Sequence, residues 1–151
     1  MASDILRNRL IQEEGFKNFP YQDTKGIFTV GVGHNIEADP VMKPQLSQLM
    51  KTGLTDDEVN ALLDKDISNA ETDLYHVYPW AEQLDEPRRE VLVDMTFNMG
   101  INTLFQFHNT MLMVKEGRYH DAAENLKLSK WYGQVGSRAV MLCKILDTGE
   151  V

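Results

Sequence analysis

The strongest constraint in this chain is a helical repeat at its centre. "TDDE" at residues 55–58 has the spacing of a capping box, in which a Thr hydroxyl and a Glu carboxylate satisfy each other's backbone N–H groups. Val59, Leu62, Leu63, Ile67, Ala70 and Leu74 follow at helical period, which predicts a long helix from about 56 to 77. "YPW" at 78–80 should end or redirect it. Everything afterwards reads helical: "EPRREVLVDMTFNMG", "NTMLMVKEG", "HDAAENLKLSKWYG" and "SRAVMLCKILDTG", each closed by Gly. Extended structure is predicted only earlier, over residues 19–34, as "FPY", a turn at "QDTKG" and then "IFTVGV". A helix is expected at 4–14, with Ser3 or Asp4 as N-cap and Gly15 just past its end. A short one is expected after Pro44, closed by Gly53. No tandem repeat interrupts this order. One early β-ribbon in a helical chain predicts an α+β protein, with a small ribbon-containing lobe joined by the long helix to a helical lobe.

Composition narrows the function. A chain of 151 residues is long enough for one domain with a sizeable core. With 15 basic and 23 acidic side chains the net charge is −8, which argues against binding nucleic acid or an anionic membrane through Lys/Arg contacts to phosphate. No apolar stretch reaches the length of a membrane span, and "MASDILRNRL" lacks the layout of a signal peptide. A soluble protein made in the cytoplasm is expected. The lone Cys143 lies in "AVMLCKIL" and reads as a small buried hydrophobe. The histidines at 34, 76, 108 and 120 lack compact ligand spacing, so neither a metal nor another cofactor is expected, and a zinc amidase is disfavoured. There is no Gly-x-Ser-x-Gly elbow for acyl transfer.

Chemistry concentrates in "IQEEGFKNFPYQDTKGIFTVGVGHN", residues 11–35. Leu6, Leu10 and Glu14 stand four apart and share a stripe, with Ile11 beside it, so Glu14 continues an apolar face at a helix end. Burial and the negative end of the helix dipole would both favour the protonated form there, as a general acid requires. On spacing alone, an exposed carboxylate at a frayed helix end remains open. Glu13 falls instead on the face of Arg9, where an exposed ion pair is expected. Asp23 starts a turn, where Asp is common simply because it caps turn backbone. Thr29 shares a strand face with Ile27 and Gly31. Gly31 and Gly33 are expected to leave an open cleft floor. "GVGHNI" lacks the third glycine and following helix of a phosphate loop. An acid on an apolar face with a second carboxylate on a turn is the pairing that glycoside hydrolysis needs.

The order Glu-Gly, Tyr-x-Asp-x-x-Gly and Thr-x-Gly-x-Gly-His within this segment resembles the catalytic segment of the phage-type lysozymes, the endolysins like those of T-even phages. "FNMG" at 97–100, "AAENL" at 122–126 and "SKWYGQVGSRA" at 129–139 resemble further family segments, so the likeness covers nearly the whole chain. It implies a lysozyme-like fold in one catalytic domain over 1–151: a β-containing lobe at about 15–58, a connecting helix at about 56–77, and a helical lobe at about 78–151 that includes the N-terminal helix. The implied activity is a muramidase that cuts the β-1,4 bond between N-acetylmuramic acid and N-acetylglucosamine. By the same resemblance Glu14 is the general acid, Asp23 positions or activates water, and Thr29 helps hold that water. Asn35, Phe97, Thr110 and Asn125 match positions lining the saccharide cleft, although Asn35 replaces a usually apolar residue and Thr110 lies in a variable stretch. Arg138 matches an Arg that pairs with the catalytic Glu, and His34 with Asp66 match a His–Asp ion pair.

The implied partner is the peptidoglycan glycan strand, with no nucleic acid, and the expected state is a monomer. The resemblance further implies accumulation in the host bacterial cytoplasm until a separate holin-type membrane protein gives access to periplasmic peptidoglycan. The acidity departs from basic family members, since peptidoglycan is anionic. A catalytically dead glycan-binding module is the rival reading, and such a module could have lost Glu14 or Asp23, both of which this chain keeps. Met95, Met99, Met111, Met113 and Trp131 are assigned to the core. Whether the reaction inverts or retains is open at the level of sequence.

Overall fold

The computed structural model describes residues 2–151, which divide into two compact units, one ending at Ser68 and one over Asn69–Val151. In the first unit, α1 (Asp4–Glu14) starts where the Ser3 hydroxyl accepts the Leu6 N–H and stops at Gly15, whose φ of +86° a side chain would strain. Leu6 and Leu10 are buried, as the stripe requires. A three-stranded antiparallel sheet follows in the order β1 (Lys17–Gln22), β2 (Phe28–Gly31), β3 (His34–Asn35). The sequence reading expected a single ribbon running through "IFTVGV". The strand instead ends at Gly31, because Gly31 and Gly33 take φ of +67° and +66° and turn the chain into β3. After two turns of 3-10 helix comes α2 (Leu46–Thr52), closed by Gly53.

The long α3 (Asp56–Val77) begins at the capping box: the Glu58 carboxylate accepts the Thr55 N–H at 2.9 Å, and the Thr55 hydroxyl accepts the Glu58 N–H at 3.1 Å. Val59, Leu63, Ile67, Ala70 and Leu74 are buried along it. Within the first unit, Arg7 on α1 reaches Asp64 and Asn60 on α3, so a polar clamp joins the two helices. The boundary between the units falls inside α3, after Ser68, and α1 belongs to the first unit.

The second unit continues from α3 through a 3-10 turn at Pro79–Gln83 into α4 (Glu86–Met99), α5 (Ile101–Leu104), α6 (His108–Lys115), α7 (Tyr119–Leu126), α8 (Lys130–Val135) and α9 (Ser137–Thr148). "HDAAENLKLSKWYG" was read as one helical segment and is two, because the Ser129 hydroxyl caps α8 afresh by accepting the Tyr132 N–H. α9 is packed by α4, α7 and α8, and α6 packs on α7. Val91, Leu92, Met95, Met111, Leu126, Trp131, Leu142 and Leu146 are buried here. Cys143 is a buried free thiol, and burial pushes its pKa up to about 11. No helix among the described residues is long and apolar enough to cross a membrane.

Candidate active site

Glu14 is the last residue of α1 and is half-buried. Its side chain lies directly against the backbone of the β2–β3 turn. A Cβ built on Gly33 would fall 2.9 Å from Glu14 Oε1 and 3.0 Å from its carboxyl carbon. A Cβ there would push the Glu14 carboxyl aside, and the positive φ of Gly33 independently strains any L side chain. Gly33 therefore serves close approach to a carboxyl group. Gly31 does not form an open cleft floor as expected: a Cβ there would meet Val59 and Leu62 of α3 at 3.5 and 3.7 Å, so that face is packed.

Glu13 also departs from expectation. Both of its carboxylate oxygens are shielded from solvent, and Arg9, one turn earlier, is only 7% exposed. The exposure expected of this face is not found: the Arg9 side chain is buried and the Glu13 carboxylate is screened from water, because this face of α1 is covered as well as the apolar one.

Asp23 follows β1 and is half-buried. Its Oδ1 accepts the backbone N–H groups of Lys25 at 2.8 Å and Ile27 at 2.9 Å, closing the turn that leads into β2. The turn-capping role is thus filled by one oxygen, while Oδ2 has no hydrogen-bond partner among the described residues. On β2, Thr29 is buried, donates its hydroxyl to the Ile27 carbonyl at 3.0 Å and stands opposite Tyr21 of β1. The Tyr21 phenol has a raised pKa, first because of burial and then because the negative charges of Glu14 and Asp23 oppose a phenolate. This residue therefore lies in the field of both candidate carboxylates. It stands in the Tyr-x-Asp motif, but nothing in the spacing assigned it a role.

At the end of the same sheet, His34 Nδ1 lies 2.7 Å from Asp66 Oδ2, and its Nε2 lies 2.9 Å from Asp39 Oδ2. The first contact matches the expected pair, while the second was missed. Burial alone would lower the His34 pKa, but hydrogen bonds and charges from Asp66 and Asp39 outweigh it and the net shift is upward. Asp39 Oδ1 also accepts the N–H groups of Val41 and Met42, so His34 links α3 to the loop after β3. Asp39 precedes Pro40 and reads in sequence as an ordinary turn residue. Asn35 is exposed and opposite Thr29, and its Oδ1 caps the next 3-10 turn by accepting the Ala38 N–H.

The remaining candidates lie in the second unit. Phe97 is half-buried near the end of α4. Thr110, buried on α6, donates to Asn125 Oδ1 on α7 at 2.6 Å, so two candidate cleft positions are bonded to each other. That assignment leaves the Asn125 amide nitrogen as a donor. Arg138 at the start of α9 grips Asp94 Oδ1 through Nε at 3.0 Å and Nη2 at 2.9 Å, and Asp94 is fully buried. Asp94 was missed; its only sequence signal is a charge inside the apolar run "VLVDM". Trp131 donates its indole N–H to Asn98 at 2.9 Å, anchoring α8 to α4. Among the described residues no group of three or more His, Cys, Asp or Glu is placed to hold a metal ion.

The family model described as phage lysozyme matches residues 11–143. The chain is 27% identical to "Probable T4-type lysozyme 1" of Dictyostelium discoideum, over 99% of this chain and 96% of that protein. It is 28% identical to "Probable T4-type lysozyme 2" of the same organism, over 95% of this chain and 94% of the other. It is also 27% identical to the "Pre-baseplate central spike protein Gp5" of Enterobacteria phage T4, matching 97% of this chain but only 28% of that longer protein.

Proposed function

This chain belongs to the phage lysozyme family, and from that premise we propose that it is a muramidase hydrolysing the β-1,4 bond between N-acetylmuramic acid and N-acetylglucosamine in bacterial peptidoglycan. The observation that carries the reading is the Glu14 carboxyl held against the bare backbone of Gly33, with Tyr21 in the field of both Glu14 and Asp23. Such an arrangement supports a division of labour between the two carboxylates. Glu14, as the carboxylic acid, protonates the glycosidic oxygen as the bond to the anomeric carbon breaks. Asp23, fixed through Oδ1 by the turn, uses Oδ2 to orient a water molecule and take its proton. Thr29 keeps hydroxyl lone pairs available to the same water because its own proton goes to Ile27.

In this reading Phe97 presents a ring face to a sugar, and Asn125 offers its amide N–H₂ to a glycan hydroxyl or acetamide carbonyl, held by Thr110. No cofactor takes part. The biological role we propose is release of phage from the host: the enzyme, a monomer, collects in the bacterial cytoplasm until a holin-type protein opens the way to the wall. The test is turbidity loss of permeabilised Gram-negative cells together with new reducing ends from purified sacculi. Wild type should produce both and Glu14→Gln neither. Release of peptides or amines without reducing ends would overturn the muramidase reading.

A further inference from the structure

The second unit carries a cleft of about 360 Å³ that none of the candidate catalytic or saccharide-binding residues lines. This volume is at the low end of the roughly 300–1,000 Å³ typical of small-molecule sites. It is bounded by the end of α3, the 3-10 turn after it and one face of α6, with Tyr78, Trp80, Phe105, His108, Leu112 and Lys115 in its wall. Four of these are rings standing at angles to one another. Tyr78 and Trp80 meet edge-to-face at 5.6 Å, Tyr78 and Phe105 are tilted by 35°, and Phe105 and His108 meet at 77°. The rings therefore line a concavity instead of a flat patch. Phe105 and Leu112 are 50% and 55% exposed, which is costly for large apolar side chains without a partner.

We propose that this cleft is an accessory site for a peptidoglycan strand, taking an N-acetylated sugar on its rings and a stem-peptide carboxylate at Lys115. This rests on the muramidase reading and adds a second point of attachment to it. Pyranose C–H bonds carry partial positive charge and stack on the negative face of an aromatic ring. Rings at differing angles can hold the face and the acetamide methyl of one sugar together. Lys115 forms no ion pair or hydrogen bond among the described residues, although the chain has 23 acidic side chains to 15 basic ones. An unpaired ammonium at the rim of an aromatic cleft is complementary to a sugar that bears a carboxylate. The acidity of the chain strengthens the case. At −8 the protein gains no long-range attraction to an anionic wall, so retention on it must come from short-range contacts. Two linked sites on one strand raise the effective concentration of each for the other. A lipid surface fits less well, since the cleft is concave and the net charge opposes anionic headgroups.

The experiment uses the full chain carrying Glu14→Gln, so that the ligand survives, with soluble peptidoglycan fragments of two disaccharide-peptide repeats as the probe. The Trp80 indole N–H resonance should shift in proportion to fragment, and Lys115→Ser should weaken that response without changing the fold. With Glu14 intact, Lys115→Ser and Leu112→Ser, both at exposed positions, should raise KM on whole sacculi by about tenfold through lost avidity. Their kcat on short soluble fragments should be unchanged. If fragments are bound and cleaved but Trp80 does not respond, the accessory site is overturned while the muramidase reading stands. If sacculi are not cleaved by wild type at all, the muramidase reading fails, and the site is overturned with it unless Trp80 still responds to the fragments. A Trp80 response to phosphatidylglycerol vesicles and not to fragments would overturn the proposal in favour of a lipid contact.

Discussion

Gly33 and Glu14 are in such close contact that a single added carbon on the glycine would fall 2.9 Å from the carboxylate oxygen of the glutamate. A turn in the sheet thus fixes a side chain at the end of a helix. Gly33→Ala should damage the enzyme in two separable ways. The left-handed backbone costs an alanine about 1–2 kcal/mol, read as a lower Tm. Displacing the Glu14 carboxyl by even an ångström should lower kcat by about 10²-fold. Gly117, whose φ is also positive but whose Cβ would meet nothing, is the control: Gly117→Ala, between α6 and α7, should lose stability and keep kcat. Equal kcat losses in both variants would mean that the Gly33 contact does not position Glu14.

Adjacent glutamates should behave differently. Glu14→Gln removes the proton donor and should cost at least about 10³-fold in kcat with the fold intact. Glu13→Gln should retain kcat per folded molecule. It replaces a solvent-shielded charged carboxylate with a neutral amide, a change at a screened polar site that should cost about 0.5–3 kcal/mol of stability. Denaturant melts and single-turnover rates measured on both variants check this. Loss of kcat in Glu13→Gln at full stability would contradict the assignment.

The anomer released first reports the part played by Asp23. With Oδ1 tied into the turn and water activated by Oδ2, attack comes from the face opposite the leaving group, so the new reducing end should appear as the α-anomer. Proton NMR during the first turnovers reads this directly. A β-anomer, or a glycosyl group trapped on Asp23, would assign nucleophilic attack to the carboxylate instead.

His34 should make stability depend on pH. Its folded pKa is raised by Asp66 and Asp39 against the lowering effect of burial. Its contribution is therefore full below the unfolded value of about 6.5 and is lost as pH rises through the higher folded value. The Asp39 pKa is lowered, first by the Met42 N–H and, after an opposing effect of burial, by His34. Its contribution is present above about 3.9 and is lost as pH falls through the lower folded value. Both terms overlap from about pH 4 to 6.5, so His34→Asn should lower Tm more at about pH 5.5 than at about pH 9. Asp39→Asn should leave part of this dependence, since Asp66 remains. A His34→Asn penalty equal at the two pH values would show that the bridge contributes no charge.

What the sequence determined by itself is the local structure. The capping box at Thr55 and Glu58, the Ser3 cap and the stop at Gly15 each depend on residues no more than four apart, and all appear as read. The period of Val59 to Leu74 placed the long helix, and with it the α+β class, because side-chain direction in a helix repeats with the backbone itself. Asp66 was legible for the same reason: a charge on an apolar stripe needs a partner. Tertiary structure decided the contacts between segments far apart in the chain. Glu14 meets Gly33, Thr110 meets Asn125, and Arg138 meets Asp94 across 44 residues. No local rule says which loop will fold over a given helix end, so the spacing showed Glu14 facing apolar neighbours but not the glycine pressed against it. Asp39 was passed over and Glu13 misread on the same ground. A turn aspartate and a polar helix face look solvated in sequence, and only packing from other elements brought Asp39 onto His34 and shielded the Glu13 carboxylate from water.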